Sequence, residues 1–377
     1  MRQPSSSCVT GPRVATSSQS QLLDTDTHNT GRLCVVLPNY NHAHCIARAL
    51  RALIDQDRPP DEIIVVDDAS TDDSLSVIGR FGSSTVPVRL LVNERNLGVA
   101  PSLQRGLLAS QARYVYFAAS DDWVQPGFFS LAIKMLETHR GVGLFCGDAV
   151  LIDAETRTHY GYRPVVRPLY RAGGVTREQA VRLLRSADNW ILTGSAVFVR
   201  DALMAEGGLD IQLGSFADGF LARKIALKHG FCYAPTVVAT WCVSKDSVSR
   251  KAAIGLDKAR SILQTVPKLI ASDPAFPAWY ADTFERRWRF ATLRLAMEDN
   301  VADPSFVELM GVRSTADRIA VGTIFRLPGR RVRQLIALGW FWLRWRPYRL
   351  RDLLGTALSR RLRLRIGSVP RDRHGPR

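Results

Sequence analysis

Residues 34–74 read CVVLPNYNHAHCIARALRALIDQDRPPDEIIVVDDASTDDS. Two short aliphatic, β-branched runs, Leu33–Leu37 and Glu62–Asp67, flank a stretch, Ala43–Ile54, whose apolar residues recur at helical spacing. A run that is apolar without alternation predicts a strand covered on both faces. Strand, helix and strand at this spacing predict a parallel pair joined by a right-handed crossover. The pattern continues outward with a helix over Thr71–Phe81, a strand over Val88–Val92, a helix over Val99–Gln111 and a strand over Tyr114–Ala118. The expected fold is therefore α/β, with a mostly parallel sheet flanked by helices.

Ligands bind outside the carboxyl ends of the strands in such sheets. Three ends carry polar residues: Pro38-Asn39-Tyr40-Asn41, Asp67-Asp68-Ala69-Ser70-Thr71-Asp72 and Ser120-Asp121-Asp122. Two adjacent carboxylates repel each other unless a cation intervenes, and a divalent ion held by one or two carboxylates together with substrate phosphates is a common solution. Asp121 and Asp122 are thus candidate metal ligands; the plain alternative is that Asp122 caps the helix that begins near Gly127. A carboxylate in the second pair, Asp67-Asp68, is placed to accept from the N–H edge of a nucleobase. No G-x-x-x-x-G-K-[ST] or G-x-G-x-x-G loop occurs, so phosphates must be handled by metal and side chains rather than by a glycine cradle.

Downstream, the pattern predicts a helix from about Gly127 to His139, a strand near Leu144–Asp148, a polar, Arg-rich connection from Asp153 to Gly174, strands at Ser195–Val199 and Thr236–Thr240, and a helix over Asp218–His229 between them. Beyond Ala252 strand signals vanish, and helical patterns appear at Lys258–Ile270, Ala278–Met297, Ser314–Val321 and Arg331–Trp345. The 377 residues suit a large domain (32–250) with a helical region (251–330), a basic segment and tail (331–377), and a lead-in (1–31) rich in Ser, Thr and Gln that lacks the apolar core of a secretory signal and reads as disordered. The six cysteines form no C-x-x-C pair and suit reduced thiols. Charge is concentrated: Arg326–Arg377 holds fifteen Arg against two Asp, so +13 of the net +16 lies there. Without a nucleic-acid recognition motif, that charge points away from DNA or RNA and toward an anionic membrane surface. Gln334–Leu350, QLIALGWFWLRWRPYRL, is too short and too charged to span a bilayer but suits its interface.

The segments CVVLPNYNHAHCIARALRALIDQDRPPDEIIVVDDASTDDS, NERNLGVAPSLQRGLLAS and YVYFAASDDW, in this order, resemble the nucleotide-binding half of the family 2 inverting glycosyltransferases with the GT-A fold, and the resemblance runs from about Leu33 to Ser249. It implies that Pro38, Tyr40 and Asn41 wall the base, that Asp68, with Asp67 beside it, bonds the base, and that Asn96 and Gly98 lie near nucleotide and donor sugar. Asp121 and Asp122 then serve ribose and a Mg2+ or Mn2+ cofactor. In GSAVFVRDALMAEGGLDIQLGSFADGFLARKIALKHG the resemblance implies an acceptor loop, with Gly208 and Asp210, and a catalytic base, Asp218; from the residues alone, Asp218 is equally a helix N-cap.

Three positions depart from the family pattern: Ala119 replaces the first acidic residue of the metal motif, Ala217 precedes the base, and Ser244 stands where a histidine is common, with Lys245 next to it. These substitutions keep open a second reading, a catalytically impaired nucleotide-sugar-binding or regulatory protein. The Arg287-Trp288 pair lacks the accompanying Gln of processive synthases, which favours transfer of a single sugar. The resemblance implies a nucleotide-sugar donor, a UDP-sugar foremost, and a saccharide or lipid-linked saccharide acceptor, as in cell-surface polysaccharide synthesis. The basic, aromatic C-terminal segment predicts that the enzyme is held peripherally at the cytoplasmic face of the membrane; the plain alternative is a helix packed on the catalytic domain with a solvated tail.

Overall fold

The computed structural model describes residues 31–244, 255–299, 311–312, 314–350 and 352. The expected lead-in (1–30), the segment 245–254 with Lys245, and the tail from 353 onward lie outside the described residues.

Strands β1 (Leu33–Asn39), β2 (Glu62–Asp67), β3 (Val88–Val92) and β4 (Tyr114–Phe117) pair in parallel in the order β3-β2-β1-β4. Their crossovers are α1 (Ile46–Ile54), α2 (Ser74–Gly79) and α3 (Val99–Ala109). Alternate β1 residues divide between two cores. Leu33, Val35 and Leu37 pack with Ile46, Leu50 and Leu53 of α1, whereas Cys34 and Val36 pack with Leu103 and Leu107 of α3. Burial on both faces explains why the strand reads as one apolar run. Helix α3 comes close because Gly106 faces β1: a Cβ there would lie 2.3 Å from Val36 Cγ1.

The chain continues through β5 (Trp123–Val124), α4 (Phe128–Thr138), β6 (Leu144–Asp153), β7 (His159–Arg163), β8 (Gly173–Val175), α5 (Arg177–Ser186), β9 (Ala196–Val199), α6 (Arg200–Ala205), α7 (Ala217–His229) and β10 (Phe231–Val243). The sheet extends as β4-β9-β6-β10-β5, with β7 on β6 and β8 on β10. Strand β9 is antiparallel to both neighbours, while β6 and β10 are parallel. Two differences from the sequence reading have local causes. Strand β10 begins at Phe231 rather than near Thr236, because Pro235 sits in a register shift between Ala234 and Val237, where no ladder N–H is needed. The connection Asp153–Gly174 contains β7 and β8 and is fastened to the sheet by Arg167, whose Nε donates to the fully buried Asp148 at 2.9 Å.

Helices α8 (Leu256–Ser272), α9 (Tyr280–Glu298), α10 (Thr315–Arg326) and α11 (Arg330–Trp345) follow. Val266, Ile270, Tyr280 and Phe284 belong to the same apolar cluster as α3 and α7, so one core runs past residue 250. Leu293, Met297, Val321, Ile324 and Phe341 form a smaller third cluster. Arg287 is buried rather than carried on the outer face of its helix. It donates to the Leu184, Arg185 and Pro347 carbonyls at 2.7, 2.8 and 3.1 Å, lies 3.7 Å from Asp188 and stacks over Tyr348. It thereby satisfies carbonyls that the end of α5 leaves open. Among the described residues no helix is long and apolar enough to cross a membrane, and the five described cysteines are free.

Candidate active site

The three polar strand ends meet through hydrogen bonds. Asn39 Nδ2 donates to Asp67 Oδ2 at 2.8 Å, the Asn41 amide donates to Ser70 Oγ at 2.9 Å, and Ser120 Oγ donates to the Pro38 carbonyl at 2.7 Å. Asn41 Oδ1 in turn accepts from the Thr71 amide at 2.7 Å. Asn41 and Ala69 both adopt left-handed conformations, φ 55° and 62°. Such backbone is costly for a residue with a Cβ, and here the cross-loop bonds hold it in place. Tyr40 is 42% exposed at this edge, so its ring is available to a ligand.

The two acidic residues at the end of β2 each hold a loop. Asp67 is fully buried and accepts from Asn39 Nδ2, the Ser70 amide at 2.9 Å and Ser70 Oγ at 2.7 Å, which makes it the pin between loops. Asp68, 4% exposed, accepts from Asn93 Nδ2 at 2.7 Å, the Leu97 amide at 2.9 Å and the Gly98 amide at 2.7 Å. It orders the loop that carries Asn96 and Gly98, and Gly98 has φ 93°, a conformation that favours glycine. Asn93, inside the quoted NERNLG but not singled out there, is the link: it also donates to Ser102 Oγ at 3.0 Å. Asn96 itself is exposed.

Asp122 does not cap α4, whose N-cap position is Gly127 without a side-chain bond. Its Oδ1 accepts the Cys242 amide of β10 at 2.8 Å. Burial, then the charge of Asp121, holds its carboxyl well above the usual carboxylate range, with the Cys242 amide and Arg48 opposing. A cation beside such a carboxyl would favour its charged form. Among the described residues no group of three or more His, Cys, Asp or Glu is arranged to hold a metal, so a Mg2+ or Mn2+ on Asp121 and Asp122 needs ligand oxygens to complete its shell. Arg48 of α1 lies beside the pair: its Nη2 donates to the Asp121 carbonyl at 2.6 Å, and its guanidinium sits 4.3 Å from the centre of the Trp123 ring.

Asp218 stands in the first turn of α7, but the cap of that helix is Phe216, with no side-chain bond, so the capping alternative is not what the structure adopts. Burial raises its carboxyl above the usual range, opposed by hydrogen bonds from Thr193 and the Gly219 amide. Thr193 opens a 3-10 turn, Thr193–Ser195, that ties Asp218 to the sheet. The Gly194 carbonyl accepts from Tyr116 Oη at 3.0 Å, and a Cβ on Gly194 would lie 2.8 Å from Trp241 Nε1. Trp241 adjoins Cys242, the residue that bonds Asp122. A continuous path of contacts therefore runs from Asp122 to Asp218. Ala217 is 1% exposed in the core, which explains the absence of a second carboxylate there.

Gly208 and Asp210 are placed apart. They line a cleft of about 420 Å³ with Glu206, Phe220, Lys224 and Asp273. On α7, Phe220 and Lys224 lie on a different face from Asp218. Asp210 caps the turn Ile211–Phe216 by accepting the Gln212 amide at 3.0 Å.

Residues 34–192 match the family model for glycosyl transferase family 2. Those residues, less than half of the chain, resemble a family 2 glycosyltransferase domain. An uncharacterized glycosyltransferase of Escherichia coli K12, YibD, is 31% identical over 108 residues, which is 29% of this chain and 31% of that protein; the chain thus spans about a third of that relative's length, and 35% of two others it matches. Among solved structures, S. aureus TarS in complex with UDP superposes with a TM-score of 0.54 at 16% identity, covering 82% of this chain and 89% of that one. The mannosyltransferase PcManGT from Pyrobaculum calidifontis, in complex with GDP-Man and Mn2+, gives 0.52 at 21% identity, covering 90% and 88%. These neighbours establish the GT-A type fold for the family 2 domain. Its first half supplies the loops 38–41, 67–72 and 93–98, and Asp218 lies beyond the matched span, on the chain's own second half.

Proposed function

We propose that the chain is an inverting glycosyltransferase that moves one sugar from a nucleotide-sugar donor, a UDP-sugar foremost, to a hydroxyl of a saccharide or lipid-linked saccharide. The observation that supports this reading is the contact path between Asp122 and Asp218, which links the carboxylate pair after β4 to the buried carboxylate of α7. In the crevice at the strand ends, Tyr40 and the pinned loops 38–41 and 96–98 receive the base, and Asp121 the ribose. Asp218, its basicity raised by burial, takes the proton of the acceptor hydroxyl as that oxygen bonds the anomeric carbon from the face opposite the diphosphate; the bond from that carbon to the diphosphate oxygen breaks, and the nucleoside diphosphate leaves. Mg2+ or Mn2+, when bound, offsets the charge that grows on the leaving diphosphate.

TarS has been solved with UDP and with UDP-GlcNAc, and PcManGT with GDP-Man and Mn2+, which supports a nucleotide-sugar donor and a divalent ion here. Helix α11 supports peripheral attachment to an anionic membrane, where a lipid-linked acceptor would be met in polysaccharide synthesis. Its Ala337 and Phe341 are buried, while Val332, Leu335, Ile336 and Leu343 form an exposed apolar stripe of 51, 72, 43 and 63% exposure, beside Arg331, Arg333, Arg344 and Arg346. A thermal-shift screen of nucleotide sugars, with and without Mn2+ or Mg2+, tests the donor reading. Stabilisation by one nucleotide sugar and enhancement by the ion are expected; no shift with any of them would overturn it.

A further inference from the structure

The position where the family pattern places a histidine is Ser244, yet the crevice is not short of positive charge. Two arginines that no motif marks converge on it. Arg48 packs against Trp123, and its Nη2 lies 3.6 Å from Cys242 Sγ as well as on the Asp121 carbonyl. Its Nε is buried without a partner. Arg157, from the turn between β6 and β7, places its guanidinium 5.3 Å from the centre of the same Trp123 ring and its Nη1 3.6 Å from the same sulfur. Cys242 is the residue whose amide bonds Asp122, so Arg48 meets the carboxylate pair at the Asp121 carbonyl and Arg157 meets the residue that holds Asp122.

The turn that presents Arg157 is specifically built. Asp153 Oδ1 accepts the Glu155 and Thr156 amides at 3.0 and 2.8 Å, the Arg157 amide donates back to the Asp153 carbonyl at 2.9 Å, and Arg157 itself adopts φ 58°. A left-handed conformation is disfavoured for a long side chain and ordinarily goes to Gly or Asn. Outliers of this kind cluster at ligand sites, held by their surroundings. Arginine also suits the ligand: its planar fork donates to two oxygens of a phosphate at once, and an aromatic face fixes its plane.

We infer that Arg48 and Arg157, both set against Trp123, form a cationic clamp for the donor diphosphate and supply the charge that Ser244 does not. This rests on the reading of the crevice as the donor site. Their guanidinium groups bring positive charge to the carboxylate pair, so a nucleoside diphosphate is held even without a divalent ion, and the ion adds to that affinity rather than creating it.

Calorimetric titration of the full chain with UDP, GDP and their nucleosides, in EDTA and again in Mn2+, tests the clamp. In EDTA the wild type is expected to bind one diphosphate at least about tenfold tighter than its nucleoside, and Arg157→Gln is expected to lose about that factor for the diphosphate while its nucleoside affinity stays unchanged. Arg157→Lys, which keeps the charge without the fork, should fall between. Because Arg157 is exposed, these variants keep the fold, and the unchanged nucleoside affinity reports it. Equal diphosphate affinity in Arg157→Gln and wild type, or a wild type that in EDTA holds the diphosphate no better than the nucleoside, overturns the clamp while leaving the donor site standing. No binding of either nucleotide in either buffer overturns the donor-site reading and the clamp with it.

Discussion

Replacing Asp68 by alanine tests how the loop near the expected donor site is held. The carboxylate is 4% exposed and accepts three N–H bonds, from Asn93, Leu97 and Gly98. Hydrogen bonds to a charged group contribute about 1.5–3 kcal/mol each, which caps the loss near roughly 9 kcal/mol if every donor were stranded. They are not all stranded. Asn93 Nδ2 keeps Ser102 Oγ at 3.0 Å, and Leu97 is 46% exposed, so its amide reaches water once the loop relaxes. The Gly98 amide and the ordering of residues 96–98 remain as the main losses, and we expect about 2–4 kcal/mol, a large share of the roughly 5–15 kcal/mol by which domains are stable. Urea denaturation followed by tryptophan fluorescence measures it, with an unchanged m-value marking a true stability change. A loss below about 1 kcal/mol would refute the reasoning and show that the three bonds contribute no more than bonds at the surface.

Arg287→Met should cost about 3–5 kcal/mol in the same assay, because it strands the buried Asp188 and uncovers the carbonyls at the end of α5; a change of a few tenths would mean that Tyr280, whose Oη also donates to Asp188 at 3.2 Å, suffices. Since burial and Asp121 hold the Asp122 carboxyl above the usual range, a metal ion must displace a proton there over a window that lies higher than for an ordinary carboxylate. Mn2+ affinity should therefore fall as pH drops through that raised range, with proton release on binding seen in buffers of different ionisation enthalpy; pH-independent affinity across it contradicts the assignment. In flotation with anionic liposomes the full chain should be recovered at low salt and released at high salt, and deletion of residues 331–377 should abolish recovery; equal recovery on neutral liposomes would remove the electrostatic part.

Much of the first half was legible because its periodicities are clean. Strand β2 and strand β3 have the residues the sequence predicts, since each is a short, mostly aliphatic run between polar turns. Pairing was less so: β9 runs antiparallel between β4 and β6, and a four-residue buried strand carries no mark of its direction. Strand β7, His159–Arg163, escaped notice because it is short, with two alternating tyrosines as its sole strand signal inside a polar, Arg-rich stretch. Within the site, carboxylates at strand ends were visible, but their partners were not. Whether Asp68 faces a base or holds a loop depends on Asn93, 25 residues away. The two arginines on Trp123 come from a helix and a hairpin turn with no motif, and only their convergence on Cys242 gives them a common purpose. The burial of Arg287 was not legible either, because it is set by what packs over the side chain, here Leu184, Arg185 and Pro347.

The separable roles of the two carboxylates are tested most directly by measuring equilibrium donor binding and sugar transfer on the same preparations of Asp122→Asn and Asp218→Asn. A base acts on the acceptor in the transition state, so Asp218→Asn should bind the nucleotide sugar and Mn2+ as the wild type does while transfer falls by about 10²–10⁴-fold. Asp122→Asn should lose the ion-dependent part of donor affinity. An Asp218→Asn protein that transfers at the wild-type rate, or that no longer binds donor, would contradict the assignment of Asp218 as the catalytic base.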